Sequence, residues 1–360
     1  MTERRLLRKG ISRWLPVLLL AAALAACSTA ATADKPAVTP TLGPTLTPSP
    51  TPLPLALLVS PAQPRNTAEQ LARQSVEEFA TAQGWVLKRL EPGADGLTLA
   101  LLENPRLVAF VGSGMGEQIT AAAAARSDLL FAAVEESGVT PATNLLVVGG
   151  EHLRGDQAAF LAGLLAGLDT QNDYVGWIGE AGTVRGKLYQ NGFRHGVRYT
   201  CPLCRIFDYE LPSVADAAAG QMAADSLAGD YADTASAIPG PAGNAALLDL
   251  ASGRIRIAGA QPDFQTGLFG DDGASGALQV LGSPAVRPDI LLADLLPRFL
   301  GGEKFDAAVP YSIENGSLEF APFSNDWITP GQQRFLGEIL AQIASGRLDI
   351  GVDPQTGEER

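Results

Sequence analysis

The feature that most restricts the fold of this chain is a regular alternation of short, fully apolar runs with segments of helical period. Leu55 to Val59 and Leu107 to Val111 carry no polar side chain, whereas Thr67 to Gln83 places its apolar side chains near the spacing of one helix face. Strands that are apolar on both faces need helices on both sides, as in parallel sheets. The alternation therefore predicts an α/β fold.

The alternation occurs in two series, which predicts two doubly wound parallel-sheet lobes rather than one large sheet. The first series ends with the apolar run Asn144 to Val148, and the second begins with a helix from Asp156 to Leu168. In that helix Gly163 and Gly167 permit the close approach of a neighbour. A return section from Arg254 onward supplies further short strands and the last helices.

Residues 1–26 are predicted to be a signal peptide. A basic stretch precedes the apolar run from Trp14 to Ala26, which is too short to span a bilayer. Leu24-Ala25-Ala26-Cys27 resembles a bacterial lipobox, so we expect cleavage before Cys27 and its lipidation. The alternative is a plain secretory signal with an incidental cysteine. Two or three acyl chains anchor a protein firmly, whereas one chain is marginal.

Residues 27–54 are predicted to be a disordered tether that starts at the lipidated cysteine. The segment is rich in Pro and Thr and carries almost no bulky apolar groups, so it cannot form a core. In the polyproline II conformation it reaches roughly 80 Å, at about 3.1 Å per residue. We expect a folded part that is held at the extracytoplasmic face of the cell membrane and attached through the lipid anchor only.

Charge and cysteine use agree with an exported protein that does not bind nucleic acid. The formal net charge is -13 at pH 7, which disfavours nucleic acid and anionic lipid as partners. Besides Cys27, the cysteines are Cys201 and Cys204, in Cys-Pro-Leu-Cys. A short disulfide is the simplest interpretation in an oxidising compartment. One alternative is a zinc site, which would need two further ligands. The other is a thioredoxin-like redox centre, in which the cysteines should lie at the start of a helix; here the residues on both sides of the pair look extended. No metal and no cofactor are expected.

Candidate ligand-binding residues lie in the loops that follow the predicted strands, because ligands of open α/β sheets bind at the carboxyl ends of the strands. The distinctive loops are VSPAQPRN (59–66), VGSGMGE (111–117), IGEAGTVRG (178–186), IPGPAGN (238–244) and AGAQPDFQ (258–265). We expect them to converge on one cleft. The candidates that they contribute are Gln63, Arg65, Asn66, Ser113, Met115, Gly240, Gln261 and Asp263. The glycines of the second loop lack the dinucleotide-binding spacing and indicate a tight turn before a helix.

No catalytic constellation is apparent, and we do not expect an enzyme. The chain has two histidines and no Gly-x-Ser-x-Gly elbow. A site assembled from distant residues would escape this inspection, so an extracytoplasmic enzyme stays an alternative.

Several motifs, taken in order, resemble the basic membrane lipoprotein family, the purine-nucleoside-receptor-like solute-binding proteins of ABC importers. The motifs are DQAAFLAGLLAG (156–167), VGWIGE (175–180), YQNGFRHGVRY (189–199), IPGPAGN, IAGAQPDFQ (257–265) and LGSPAVRPDI (281–290). The resemblance covers nearly all of 55–350. It implies a type I periplasmic-binding-protein-like fold, with two lobes joined by crossover strands. The lobe boundaries expected from it are 55–150 plus 262–297 and 151–261 plus 298–350, with a polar tail at 351–360.

In that family a nucleoside is held between aromatic rings, with carboxylates on its ribose, and the resemblance transfers these roles unevenly. Arg65 stands where the family has a stacking Phe, and Glu135 stands where it has an Asp. Gln261 replaces a ribose-binding Asp, whereas Asp263 matches the second acid. The family's Lys is replaced by Val286, with Arg287 adjacent. Trp177, within VGWIGE, is a further aromatic candidate for the site. Arg65 and Arg287 near the cleft would favour an anionic or more polar solute; the alternative for each is a surface ion pair.

The function expected from the sequence is that of an extracytoplasmic solute-binding lipoprotein of an ABC importer. The expected partners are a small polar solute, for which the resemblance implies a nucleoside, and the permease subunits in the membrane. We expect a monomer. The main alternative is a sensor lipoprotein of the same fold that signals to a membrane kinase.

Overall fold

The computed structural model describes residues 52–270, 276–321 and 326–360. The predicted signal peptide, Cys27 and most of the predicted tether lie outside the described residues. Residues Pro52–Arg360 form one compact unit. Its strands are β1 (Leu55–Val59), β2 (Val86–Leu90), β3 (Leu107–Val111), β4 (Leu130–Val134), β5 (Leu145–Leu153), β6 (Tyr174–Glu180), β7 (Arg205–Leu211), β8 (Thr234–Ala237), β9 (Arg256–Ala258), β10 (Val280–Gly282), β11 (Pro284–Val286), β12 (Val309–Tyr311) and β13 (Leu318–Phe320). Its helices are α1 (Thr67–Ala82), α2 (Ala94–Leu101), α3 (Gly116–Ala125), α4 (Gly155–Asp169), α5 (Val184–Thr200), α6 (Ala217–Gly229), α7 (Pro241–Ser252), α8 (Phe264–Phe269), α9 (Pro288–Leu300) and α10 (Pro330–Ala344).

Two parallel sheets confirm the predicted α/β fold. The first has the order β12-β5-β4-β3-β1-β2 and the second has the order β10-β9-β8-β6-β7. All of their pairings are parallel. Strand β3 is buried along its whole length, as expected of an apolar run between two helical layers. Strands β11 and β13 form a separate antiparallel pair.

Two short strands differ from the lobe boundaries expected from the sequence. β10 pairs with β9 of the second sheet, although 262–297 was expected in the first lobe. β12 pairs with β5 of the first sheet, although 298–350 was expected in the second lobe. Each strand has three residues, so local apolar pattern carries no information about which sheet it joins. The strands of the described chain therefore pass from the first sheet to the second between β5 and β6 and return to the first between β10 and β12.

Glycine determines how closely α4 and α5 pack. A Cβ on Gly163 would lie 2.2 Å from the carbonyl oxygen of Phe193, and a Cβ on Gly196 would lie 2.1 Å from that of Phe160. Both distances are shorter than any normal contact, so only glycine allows this helix crossing. The close approach buries almost all of α4 against the second sheet and α5.

Some elements were not foreseen in the sequence. The segment 238–244, expected as a flexible loop, contains the start of α7, with Pro241 as the first helical residue. Helix α8 and strands β11, β12 and β13 were also missed. Helix α5 runs to Thr200, so a helix precedes Cys201, and the expectation of extended residues there is wrong. The Cys201–Cys204 disulfide itself is present.

The C-terminal residues 351–360 fold back onto α5 instead of trailing away as a tail. The buried side-chain amide of Asn191 donates to the carbonyl oxygen of Gly357 at 2.7 Å. Lys187 and His195 of α5 contact Glu358 and Glu359, respectively. Val352 is fully buried, so this segment contributes to the core.

Candidate ligand-binding site

A cavity of about 300 Å³ lies where strands of both sheets end. This volume is at the lower end of the range for small-molecule sites. From the first sheet come residues in or after β1, β4, β5 and β12, and from the second sheet come residues after β9. The lining residues are Asn66, Ala68, Glu135, Gly150, Leu153, Gln261, Pro262, Asp263, Val286 and Tyr311. Four of these polar side chains, those of Asn66, Glu135, Gln261 and Asp263, were predicted from the sequence. Tyr311 was not.

Asn66 is placed on the wall because it begins α1. Its side-chain oxygen accepts the backbone N–H of Glu69 at 2.8 Å, the usual role of an N-cap asparagine. The next N–H, that of Thr67, is accepted by Oδ2 of Asp263 at 3.1 Å. A carboxylate from the loop after β9 therefore sits at the positive end of a helix that packs on the first sheet.

Glu135 follows β4 and is mostly buried at the cavity. Its φ of 56° lies in the left-handed region, an uncommon conformation for a residue other than glycine. One carboxylate oxygen accepts the N–H of Gly150 at 3.3 Å. Burial raises the pKa of Glu135, and the nearby carboxylates of Glu69 and Asp263 add to the effect. The group is thus a desolvated acceptor that a ligand with hydrogen-bond donors would satisfy.

Tyr311, at the end of β12, was missed in the sequence. Its side chain is 2% exposed, and within the described part of the chain its hydroxyl has no hydrogen-bond partner of normal geometry, although it lies close to Glu135. Burial and this carboxylate raise the pKa of Tyr311, so the hydroxyl stays protonated. The ring fits because residue 149 is glycine: a Cβ there would lie 2.1 Å from the ring. In the sequence, the only sign of a buried Tyr311 at a strand end was its position as an aromatic residue after a short apolar segment.

Gln261 and Asp263 reach the cavity from the loop after β9. The side-chain amide of Gln261 donates to Oδ1 of Asn244 in α7, at 3.2 Å. Asp263 has a φ of 51°, so, like Glu135 on the same cavity, it is a non-glycine residue in the left-handed region. Such conformations persist where the surrounding structure enforces them and are frequent at binding sites.

The glycine-rich turn after β3 does not reach the cavity wall. The carboxylate of Glu136, which is 2% exposed, accepts the backbone N–H of Ser113 and that of Gly114, the latter at 2.9 Å. This carboxylate occupies the position that an anionic ligand would take at the start of α3. Met115 is 6% exposed and belongs to the core. In this structure the donors of the turn are satisfied from within the protein.

Three further predicted site residues also lie away from the cavity. Trp177 is fully buried and stacks on Phe193, with ring centroids 4.8 Å apart, because β6 turns it toward α5 rather than toward the strand ends. Gly240 precedes α7 and packs against Val214. Gln63 lines a shallow depression on the outer side of α1.

Both candidate arginines are engaged in ion pairs. Arg65 binds the buried carboxylate of Glu69 and donates to the carbonyl oxygen of Gly112 at 2.9 Å. Arg287 pairs with Asp289 and Glu319, at 2.6 and 3.1 Å. Neither residue is among those that line the cavity. The structure therefore shows both arginines in ion pairs, which was the alternative to a role in ligand binding.

No helix among the described residues is long and apolar enough to cross a membrane.

The sequence resemblance is confirmed by a family comparison. Residues 97–261 match the family described as ABC transporter substrate-binding proteins, PnrA-like. This match supports a role in solute binding for ABC transport, and it is a match to binding proteins rather than to enzymes. No curated protein sequence matches the chain.

Comparison with solved structures supports the predicted fold. An ABC transporter solute-binding protein from Conexibacter woesei superimposes with a TM-score of 0.60 at 17% identity, over 82% of this chain and 98% of that protein. A solute-binding protein from Aeropyrum pernix gives 0.52 at 15%, over 84% and 94%. A protein described as a transcriptional activator of the comK gene from Bacillus halodurans gives 0.56 at 14%, over 85% and 99%. At these identities the likeness establishes a periplasmic-binding-protein-like fold and no more.

Proposed function

Starting from the family match over residues 97–261, we propose that this chain is the solute-binding lipoprotein of an ABC importer, anchored by Cys27 at the extracytoplasmic face of the membrane. The lobes built on the two sheets would close over one small polar solute and present the closed form to a permease. The ligand would lie in an interlobe cleft that contains the cavity between the strand ends. The Pro/Thr-rich tether would leave the folded part free to reach the permease.

One observation carries this proposal: two polar groups at strand ends of the first sheet, on Tyr311 and Glu135, face a cavity that the loop after β9 of the second sheet also lines, and their hydrogen-bonding capacity is incompletely used. The Tyr311 hydroxyl has no hydrogen-bond partner of normal geometry among the described residues, although it lies close to Glu135, and the backbone N–H that Glu135 accepts is at the long distance of 3.3 Å. A buried polar group without a partner destabilises a protein by about 1–3 kcal/mol. Such groups are retained where a ligand completes their bonding.

The charge of the cavity wall favours a solute rich in hydrogen-bond donors. The described wall carries the carboxylates of Glu135 and Asp263 and no basic side chain. An anion would meet two carboxylates in a partly desolvated space, where like charges repel strongly. Neutral hydroxyl or amino groups would instead donate to them. A nucleoside, whose ribose offers hydroxyl donors, fits this chemistry and agrees with the family resemblance; an anionic solute does not.

The contact between Thr67 and Asp263 supports closure as the operating step. It joins the start of α1 on the first sheet to the loop after β9 of the second, so it exists only while these two parts are together. A ligand that touches both walls would shift the population toward the closed form by its differential affinity for that form.

A ligand screen tests the proposal. Purified protein is heated with nucleosides, free bases, sugars or amino acids, and each candidate that raises the melting temperature is titrated by calorimetry. A ligand at about 100 times its dissociation constant stabilises the folded protein by about 2.7 kcal/mol, which is readily measured. Glu135→Gln should weaken binding about 10- to 100-fold, because hydrogen bonds to a charged group contribute about 1.5–3 kcal/mol.

The matched control is Glu303→Gln, the same substitution at an exposed carboxylate that pairs with Arg298 on the surface. It should leave binding unchanged. Equal affinities for the two variants would show that the ligand binds elsewhere. Co-purification of permease and ATPase subunits would support transport, whereas capture of a histidine kinase in their place would favour the sensor.

A further inference from the structure

Cys201, Cys204 and Asp173 form a cluster at the opposite end of the second sheet from the cavity. The cysteines follow α5 and precede β7, and Asp173 precedes β6. Oδ1 of Asp173 lies 3.7 Å from Sγ of Cys201 and 3.9 Å from Sγ of Cys204. These three side chains are the group among the described residues whose ligand atoms lie within 4.8 Å of one another. The sequence suggested no third ligand for the cysteine pair, and Asp173 supplies one.

The distances suit a tetrahedral thiophilic metal ion. Zinc binds sulfur at about 2.3 Å and carboxylate oxygen at about 2.0 Å, so an S–O edge of its tetrahedron is about 3.5 Å long. The observed separations exceed this edge by a few tenths of an ångström, a shift that side-chain rotation provides. Once the disulfide is broken, the sulfurs must separate to about 3.8 Å, the S–S edge. The Cα atoms, 5.4 Å apart, are already close enough to hold both ligands on one ion.

The electrostatic setting favours a cation. The cysteines follow the C-terminus of α5, the negative end of the helix dipole, with the N–H of Cys201 donating to the carbonyl oxygen of Val197 at 2.7 Å. In the described chain no basic side chain forms an ion pair with Asp173. A cation beside the two sulfurs would be attracted both by this carboxylate and by the carbonyl end of the helix.

The site is open to solvent. Leu203, between the cysteines, is 91% exposed, and Asp173 is exposed too. A reductant and a hydrated metal ion therefore reach the cluster without any movement of the core.

We propose that Cys201, Cys204 and Asp173 form a redox-gated site for a thiophilic divalent cation such as zinc, closed while the disulfide is intact and opened when a dithiol reduces it. The dithiol transfers two electrons and two protons, leaving two protein thiols and its own cyclic disulfide. The metal ion then binds both sulfurs and one oxygen of Asp173, releases the two thiol protons, and keeps water as its fourth ligand. This site is independent of solute binding at the cavity.

The test uses the full chain with Cys27→Ser, so that Cys201 and Cys204 are the only cysteines. The protein is reduced with dithiothreitol, freed of reductant without oxygen, and titrated with Zn²⁺ against a chromophoric chelator. Cd²⁺ serves as a second probe, because its thiolate bonds absorb in the ultraviolet. The reduced chain should bind one ion per molecule, and the same chain in its oxidised form should bind at least ~10-fold more weakly, since the thiolate is the ligand.

Two variants in the reduced chain isolate the third ligand. Asp173→Asn should weaken Zn²⁺ binding about 10- to 100-fold or more, because even groups that only orient a ligand have effects of this size. Asp225→Asn, at an exposed position on α6, should leave binding unchanged. Equal binding by the reduced and oxidised forms, or unchanged binding by Asp173→Asn, would overturn the proposal. Circular dichroism of each variant confirms that the fold is retained.

Discussion

Tyr311→Phe removes one oxygen atom from the cavity wall and leaves the ring in place. The ring packs against Gly149 and is 2% exposed, so the substitution opens no large void. The hydroxyl has no hydrogen-bond partner of normal geometry among the described residues. The variant therefore separates the effect of this group on folding from its effect on ligand binding.

The two effects are expected to have opposite signs. Burying an unpaired hydroxyl destabilises a folded protein by about 1–3 kcal/mol, and its removal recovers that amount. Part of the gain is offset because the hydroxyl dipole lies near the Glu135 carboxylate. We expect the free energy of unfolding of the ligand-free protein to rise by about 1 kcal/mol. Ligand affinity should fall about 2- to 10-fold, the equivalent of one neutral hydrogen bond of about 0.5–1.5 kcal/mol.

Urea unfolding at pH 7 without ligand measures the first effect, as a higher midpoint with an unchanged slope. Calorimetric titration with the ligand found in the screen measures the second. Tyr209→Phe is the control, because its hydroxyl donates to Asp230 and its loss should destabilise the protein by about 0.5–1.5 kcal/mol. A Tyr311→Phe protein that unfolds more easily than the wild type would refute the reasoning, since the hydroxyl would then have a partner in the ligand-free state.

Three further predictions concern stability and location. Because burial raises the pKa of Glu135, the folded state takes up a proton at a higher pH than the unfolded state. The stability of the wild type relative to Glu135→Gln should therefore rise as the pH falls through the folded pKa toward the ordinary value of a glutamate, measured by urea unfolding at a series of pH values; a difference that does not vary with pH would contradict this. In thermal unfolding, Gly163→Ala should destabilise the protein by about 1–3 kcal/mol or more, because the added Cβ would clash with the Phe193 carbonyl oxygen. The control Gly96→Ala adds a Cβ with no atom near it and should stabilise the protein by about 0.5–1 kcal/mol. If Cys27 carries the proposed lipid anchor, Cys27→Ser should move the protein from the membrane fraction to the supernatant after ultracentrifugation, because acyl chains would supply the membrane affinity. Persistence of the variant in the membrane pellet would exclude lipid anchoring through this residue.

The elements that the sequence predicted well are long and strongly patterned. Strands β1 and β3 and helices α1 and α4 lie within one or two residues of the expected bounds, because a continuous apolar run, or apolar side chains at period 3.6, reports directly which surfaces are buried. The elements that were missed are short or unusual in composition. Strands β11, β12 and β13 have three residues each, and α7 begins in a segment rich in Gly and Pro that resembles a loop.

The candidate site divides in the same way. Asn66, Glu135, Gln261 and Asp263 lie on one cavity wall, and each follows a strand that the apolar pattern had located. Trp177 could not be placed from sequence, because the direction of a strand side chain depends on which layer covers each face. The pairs Arg65–Glu69 and Arg287–Asp289 join residues that are close in the chain, whereas the pair Arg287–Glu319 depends on how β13 packs beside β11 and could not be read from the sequence.

The sequence by itself determined the α/β layering, the family resemblance and the strand ends at which polar side chains gather, since each of these follows from side-chain pattern within a few neighbouring residues. Only the tertiary structure decided which of those side chains share a cavity, that Glu136 fills the glycine-rich turn, and that Tyr311 and Asp173 join groups far away in the chain. The physical reason is that burial and pairing of a polar group depend on the elements packed against it, and a short strand such as β12 carries too little pattern to specify its neighbour.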